Sequence, residues 1–412
     1  MRLEDLAGQT IGMAVSGGLD SCTITRWLTE EGVRVVGLTA DLAQPDEPDI
    51  ADIKSRMKVC GADEALIVDG REALARAGLE VIQCQAKYEG GYWNTTGIAR
   101  YVTVAAIVPE LRKRNIRVLG HGATGRGNDQ IRFQLATNML APEIEVYAPW
   151  RDPSFLEMFP GRREMIAYCE REELPVKATL DRPYSTDANL LGLTHEAGRL
   201  ENLDTPAQFV EPGMGVYPQD APNAAERFTV RFEAGIPVRI NDEPVTLVEA
   251  FQRTNAVGGR HGVGIGLHTV ENRFVGIKSR GVYEAPGMTV LGTCYDFLLQ
   301  LVLDRRARTL FDDLSLRLAR QIYESYWYDL ASTAIRRAMG EFTRLATGTI
   351  TVDLYKGNVQ FVSASDAPHS LYTDASSMEG VGDFDHKDSE GFVRVLQVSA
   401  RALRASGQVQ DR

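Results

Sequence analysis

Gln9-Thr-Ile-Gly-Met-Ala-Val-Ser16-Gly17-Gly18-Leu19-Asp20-Ser21 decides how the first part of this chain folds. Ile11 to Val15 is an apolar run of strand length, and it ends in a polar turn with two glycines. A helix-like stretch, Cys22 to Glu31, follows at once. A strand that hands a Ser-Gly-Gly turn to a helix start points a nest of backbone N–H groups outward. Those donors and the positive end of the helix dipole favour a polyphosphate. The glycines permit φ > 0 and let phosphate oxygens approach the backbone. The other reading is a glycine-rich turn without a ligand. Neither Gly-Lys-Ser/Thr nor G-x-G-x-x-G occurs in this stretch, so it is not a Walker A loop or a dinucleotide fingerprint.

Outward from this turn, strand-like and helix-like segments alternate to about residue 120. Arg34 to Thr39 is a second apolar run, and Ile50 to Cys60 carries Ile50, Ile53, Met57 and Cys60 at helical spacing before the stop at Gly61. Ala65 to Val68 reads as a strand, Arg71 to Gln85 and Thr96 to Arg114 as helices, and Ile116 to Leu119 as a fourth strand. Alternation of this kind predicts an α/β, Rossmann-like parallel sheet of doubly wound type, whose ligands collect at the carboxyl ends of the strands. Strand four runs into Gly120-His-Gly122-Ala-Thr124-Gly125-Arg-Gly127-Asn128-Asp129-Gln-Ile-Arg132, too rich in glycine for regular structure. It reads as a second loop at the same sheet edge, the alternative being a flexible surface loop.

Beyond Trp150 the alternation fades. One helix is predicted from about 154 to 172, and a linker or long loop between about 203 and 222. Arg227 to Phe232 alternates in period two, followed by Gly235 to Ile240. A helix from Val245 to Asn255 gives way to Gly258-Gly-Arg-His-Gly-Val-Gly264. Residues 289–342 read as mostly helical, and Ile350–Leu354 with Asn358–Ser363 as a hairpin around Lys356-Gly357. Val393 to Arg404 is an amphipathic helix that packs either on a neighbouring subunit or on its own. This half reads as α+β. The expected division is 1–170, nucleotide binding; 171–365, a larger α+β synthetase unit; and 366–412, an oligomerisation tail with its helix.

With 412 residues the chain is long enough for two or three domains, and 44% hydrophobic with 25% charged residues is the balance of a soluble globular protein. A net charge of −11 argues against coating a nucleic-acid backbone. Cys22, Cys60, Cys84, Cys169 and Cys294 form no C-x-x-C pair and no disulfide framework. No signal segment or apolar run of membrane length is visible, which predicts a cytoplasmic protein without membrane contact. His261 and His268 lack the partners of a metal site, and none is expected; His121 stands open between a structural and a catalytic role. Tyr323, Tyr326, Trp327 and Tyr328 read as packing.

Ser16-Gly-Gly-Leu-Asp-Ser21 resembles the pyrophosphate-binding loop of ATP pyrophosphatases, the PP-loop superfamily. More specifically, the chain resembles the argininosuccinate synthase family along nearly its whole length. The resemblance rests on Ala14–Asp20, His121–Phe133, Ala148–Arg151, Tyr184–Leu190, His195–Gly198, His261–Gly264, Val270–Phe274 and Ile277–Glu284, all in one order. It implies a C–N ligase of arginine biosynthesis: citrulline, aspartate and ATP give argininosuccinate, AMP and pyrophosphate through a citrullyl-adenylate, with Mg²⁺. It also implies a homotetramer. Positioning and electrostatics then dominate over side-chain proton chemistry, so no catalytic residue is assigned.

The resemblance carries Ala14, Val15, Ser16, Gly17, Gly18, Leu19, Asp20, Ser21, Cys22, Ala40 and Gly122 over as ATP contacts. Thr124, Asn128 and Asp129 match aspartate contacts, where a hydroxyl and an amide suit the carboxylates and Asp129 suits the ammonium. Tyr92, Asn128, Arg132, Ser185, Thr194, Glu271 and Tyr283 match citrulline contacts, with Glu271 suited to its ammonium and Arg132 to its carboxylate. Ser21 for threonine and Thr194 for serine depart from the family's usual pattern but keep the hydroxyl, and three further positions depart more. Cys22 stands for a serine, as a thiol activated at a helix start or as a packed, inert one; Gly97 follows Thr96 where a serine is common; and Tyr101 replaces a proline. The last two keep one alternative alive, a related ligase that joins aspartate to a different ureido-type acceptor.

Overall fold

The computed structural model describes residues 1–89, 91–176, 184–376 and 386–410. In chain order the elements are β1 (Thr10–Ala14), α1 (Leu19–Glu30), β2 (Arg34–Asp41), α2 (Asp52–Val59), β3 (Glu64–Asp69), α3 (Arg71–Gln83), α4 (Thr95–Lys113), β4 (Val118–His121), α5 (Asp129–Leu140) and β5 (Glu145–Tyr147). Then come α6 (Pro153–Met158), α7 (Arg162–Arg171), β6 (Ser185–Asn189), β7 (Gly192–Glu196), β8 (Glu226–Glu233), β9 (Ile236–Ile240), β10 (Glu243–Pro244) and α8 (Leu247–Arg260). The chain continues through β11 (Leu267–Asn272), β12 (Lys278–Glu284), α9 (Pro286–Val302), α10 (Arg305–Tyr323), α11 (Leu330–Thr343), β13 (Gly348–Tyr355), β14 (Asn358–Ser365) and α12 (His386–Ala405).

β1 to β5 form a parallel sheet in the order β3-β2-β1-β4-β5. Ile11, Met13, Val35 and Leu38 are buried, as strands covered by helices on both faces require. The chain goes from β1 to β2 on one side and reaches β4 on the other, so the topological switch point lies between β1 and β4. There Ala14 pairs with His121, which sets the two glycine-rich loops side by side at the carboxyl edge.

The second half contributes two antiparallel sheets, β10-β9-β8-β13-β14 and β11-β12-β7-β6. The strands of the latter, short and polar, escaped the sequence reading. Its cross-strand register, however, brings two rows to one face: Ser185, Glu196, Gly281 and Thr269, then Asp187, Thr194, Tyr283 and Leu267. Glu271 lies two residues beyond Thr269 on the same face. One apolar core runs from the parallel sheet (Val36, Leu38, Leu74) through α4 into β8 and α9 (Val230, Phe232, Leu298), so the halves share an interior.

Two predicted helices end differently. The single helix expected over 154–172 is two, α6 and α7, because Phe159-Pro160-Gly161 interrupts it. Proline pushes Phe159 out of the helical region, and Gly161 is fully extended (φ −168°, ψ −176°). Conversely, α8 does not stop at Asn255 but continues through Gly258 and Gly259 to Arg260. Those glycines serve packing rather than termination. The backbone of Met214 and Gly215 crosses the helix there, Val216 N–H donates to the Gly259 carbonyl at 3.1 Å, and a Cβ on Gly259 would lie 2.0 Å from the Met214 carbonyl oxygen. The expected hairpin around Lys356-Gly357 is β13–β14, and the expected tail helix is α12, exposed along its length.

Gly259→Ala should destabilise the fold by about 1–3 kcal/mol, the cost of overpacking where backbone rather than a flexible side chain must move. A lowered thermal unfolding midpoint checks this; an unchanged midpoint would show that the crossing relaxes freely.

Candidate active site

The first loop is held from behind. Gly17 takes φ +72°, and the buried Arg56 of α2 donates to its carbonyl from Nη1 at 2.8 Å while Nη2 meets Glu47 at 2.6 Å. A side chain on Gly17 would be strained and would strike that guanidinium, with Cβ 2.9 Å from Nη1. Gly18 caps α1 in an extended conformation without a side-chain cap, and the first helical bond runs from Cys22 N–H to the Gly18 carbonyl at 3.0 Å. The N–H groups of the first turn have no intrahelical partner, the arrangement that accepts phosphate. Ser16 N–H donates to Ser21 Oγ at 2.9 Å, and the two serine hydroxyls lie 3.3 Å apart. Asp20 accepts from Trp150 Nε1 at 2.9 Å, and burial pushes its carboxyl up from the ordinary value.

Cys22 contributes no group to the open side of this loop. Its N–H belongs to the helix, its Sγ faces the Gly17 carbonyl at 3.7 Å, and its side chain is fully buried. Contact with the Cys60 thiol and burial push its pKa up, so it is the packed, inert thiol rather than an activated one. Val15 and Leu19 likewise turn their side chains into the core, leaving only backbone for a ligand. Ala40 lies at the carboxyl end of β2, beside β1.

The second loop touches the first: a Cβ on Gly122 would sit 3.2 Å from Asp20 Cβ. His121 beneath it is fully buried and stacked on Phe133; its Nδ1 accepts from Ala123 N–H at 3.2 Å. Desolvation lowers its pKa to about 3, which keeps it neutral and structural. Thr124 is exposed on the loop, and Asn128 precedes α5, its Oδ1 accepting from Phe274 N–H at 3.2 Å. The tip of the β11–β12 hairpin is thereby tied to this loop, and Arg273 adds a bond to the Arg126 carbonyl at 3.1 Å.

Asp129 is gripped twice, by Arg100 Nε on Oδ2 at 2.8 Å and by Arg132 Nη1 on Oδ1 at 2.7 Å. Burial alone would raise its pKa, but the two guanidiniums overcome this and hold the carboxyl below the usual range. Arg100 also binds Asp187 of β6. Arg132 donates to the Tyr323 carbonyl at 3.3 Å and lies over the Tyr323 ring. That ring stacks on Tyr88 at 3.7 Å, and its hydroxyl donates to Glu271. Tyr92 stacks on Tyr283 at 4.2 Å and accepts from Thr96 N–H at 3.1 Å, while the Thr96 and Thr194 hydroxyls meet at 2.8 Å. Tyr92, Thr194, Glu271, Tyr283 and Arg132 therefore line one cleft between α4, α5 and the β11-β12-β7-β6 face, with Ser185 on its exposed edge row.

Two glycine-rich loops side by side at a switch point, together with the β11-β12-β7-β6 face, form the arrangement the sequence resemblance implies. Two family models match, the arginosuccinate synthase N-terminal HUP domain over residues 10–175 and the arginosuccinate synthase C-terminal domain over 184–403. The chain belongs to the argininosuccinate synthase family. Curated relatives that carry this name include those of Rhodopirellula baltica (43% identical, 97% of this chain and 98% of the relative), Thermotoga maritima (38%, 94% and 95%) and Danio rerio (34%, 94% and 95%).

Sequence reasoning missed several residues of this family member's cleft. Arg100, Asp187, Tyr88, Tyr323 and Glu196 were not singled out as ligand groups, and Tyr323 was read as packing alone. Asp187 and Glu196 stood within quoted motifs, but their shared face needs the register of two strands the pattern hides. His195 and Glu284 (2.6 Å) lie on the other face, where Glu284 also takes Gly213 and Met214 N–H groups and anchors the sheet. His261 binds Glu226 and His268 accepts from Arg280; no cluster of three metal-ligating side chains exists among the described residues.

Asp129→Asn should cost about 3 kcal/mol at pH 7 by leaving two partly buried guanidiniums facing each other. Because the native carboxyl sits below its free value, its contribution is complete above about pH 4 and fades as pH falls further. Denaturant unfolding of both proteins should show a constant gap from pH 6 to 8 that narrows in acid; a gap that widens in acid would contradict the sign.

Proposed function

We propose that this protein joins L-citrulline to L-aspartate, with ATP cleaved to AMP and pyrophosphate, and so makes argininosuccinate. The observation that carries the reading is the pairing of Ala14 with His121, which brings the Ser16–Ser21 and Gly122–Asn128 loops to one crevice facing the citrulline-type face. The ureido oxygen of citrulline attacks the α-phosphorus, and pyrophosphate leaves into the N–H nest at the start of α1. The amine of aspartate, held near Thr124, Asn128 and Asp129, then displaces AMP from the citrullyl-adenylate. Tyr92, Asn128, Arg132, Ser185, Thr194, Glu271 and Tyr283 orient citrulline, and the remaining loop residues with Ala40 and Gly122 hold ATP. Asp20 and the Ser16 and Ser21 hydroxyls are the oxygen groups of the first loop that would face Mg²⁺, and the ion would offset phosphate charge there.

A different ureido-type acceptor is not favoured. Gly97 lies under the Arg132 guanidinium, and Tyr101 is fully buried, its hydroxyl on the Ile322 carbonyl and its ring against Tyr328. Both departures shape the support of Arg132 and bring no new group to the acceptor.

The reading extends to the division 1–170, 171–365 and 366–412 and to a cytoplasmic homotetramer. No helix among the described residues is long and apolar enough to cross a membrane. α12 exposes Phe392, Val395, Leu396 and Leu403 along one stripe, which suits the embrace of a neighbouring subunit.

Pyrophosphate release should require ATP, aspartate and citrulline together and yield argininosuccinate. Turnover with another acceptor but none with citrulline would overturn the reading. Removal of residues 386–412 should lower the mass measured by light scattering; an unchanged tetramer would remove α12 from the interface.

A further inference from the structure

Gly17 and Gly18 share one peptide bond that crosses from the interior to the surface of the first loop, for Gly17 is buried and Gly18 exposed. On the inner side the Gly17 carbonyl accepts from Arg56 Nη1 at 2.8 Å. Arg56 is itself only 7% exposed, and its other nitrogens lie against carboxylates, Nη2 2.6 Å from Glu47 and Nε 3.2 Å from Asp52. The guanidinium is therefore fixed from three sides without any ligand. On the outer side the Gly18 N–H has no hydrogen-bond partner among the described residues. The bond is trans, so its C=O and N–H point in opposite directions. Holding the carbonyl on α2 aims the N–H away from α2, to the open side of the turn.

The glycines do not secure this orientation by themselves. Rotation of the peptide plane changes only ψ of Gly17 and φ of Gly18. It would carry Gly18 from φ −83° into the positive region, which glycine enters freely. The flipped turn would show a carbonyl oxygen to an incoming phosphate and turn the N–H inward, and residues Ser16 to Ser21 contain no cation to offset that. We infer that Arg56 is a positioning residue for pyrophosphate: it latches the Gly17–Gly18 peptide with its N–H outward, and the phosphate affinity of the first loop depends on the latch. This assignment rests on the function proposed above. Arg56 touches no substrate in it and acts through one carbonyl. Glu47 and Asp52 meet its charge, so the effect is one of direction rather than of long-range field.

Arg56→Met keeps the apolar stem and removes every donor. Magnesium pyrophosphate and AMP, each titrated calorimetrically into wild type and variant, separate the role. Pyrophosphate should bind about tenfold more weakly, the loss expected for one hydrogen bond to a charged group, while AMP, which lacks the departing phosphates, stays within about twofold. In citrulline-dependent exchange of labelled pyrophosphate into ATP, KM for pyrophosphate should rise by the same factor and KM for citrulline should not move. Arg56→Lys, whose ammonium can reach the same carbonyl, should recover most of the affinity. Were Arg56→Met not to fold, Glu47→Ala carries the same measurement: with the guanidinium free to swing off the carbonyl, pyrophosphate should weaken by about threefold and AMP should not.

Wild-type pyrophosphate affinity in Arg56→Met, an equal loss for pyrophosphate and AMP, or an Arg56→Lys variant no better than Arg56→Met overturns the assignment. Wild-type protein that binds pyrophosphate but shows no citrulline-dependent exchange overturns the functional reading instead, and the direct titrations tell the two failures apart.

Discussion

Asp129 stands between two guanidiniums, and the construction of the cleft follows from that contact. Arg100 reaches it from α4 and Arg132 from its own helix, and Arg100 continues to Asp187 on β6. Three elements from both halves of the chain are thus tied through one alternating set of charges. Arg132, held in place, lies on Tyr323, whose hydroxyl fixes Glu271 on β11. In a partly buried network of this kind, removing one charge leaves its partner uncompensated, which is costly.

The phosphate side is built on a different principle. Residues Ser16 to Ser21 contain no cation. The buried Arg56 directs its guanidinium to the Gly17 carbonyl and Glu47, stabilising the shape of the turn. The backbone N–H groups at the start of α1 supply a local positive field that needs no counterion and no rotamer ordering. A chain with a net charge of −11 can bind a polyanion in this way, since the favourable field is local to a helix terminus and the excess negative charge lies elsewhere.

The first four strands of the parallel sheet were legible as apolar runs with predicted limits within a few residues of those observed, whereas the three-residue β5 and the helix α5, whose first turn was read as part of the loop ending at Arg132, were not. The loops were legible in turn, as glycines and polar residues cannot continue such a run. The face that carries Ser185, Thr194, Glu271 and Tyr283 was not. Its strands mix hydroxyls, carboxylates and glycine where buried hydrophobes mark the other sheets, because one side is a ligand surface rather than core. The residues there could be matched to a family one at a time, yet their alignment in rows follows from register, a tertiary property. The helix through Gly258-Gly259 failed for a related reason: glycine is a local stop signal, but here a crossing chain demands it.

The two sides of the site differ in how they carry charge. On the side of the antiparallel face, Asp129 and Asp187 lie against Arg100 and Arg132 in a set of alternating charges. The hairpin tip, bonded through Phe274 and Arg273 to the loop at Arg126 and Asn128, ties this face to the second glycine-rich loop, so the two sides are set against each other by hydrogen bonds that involve backbone on one partner each.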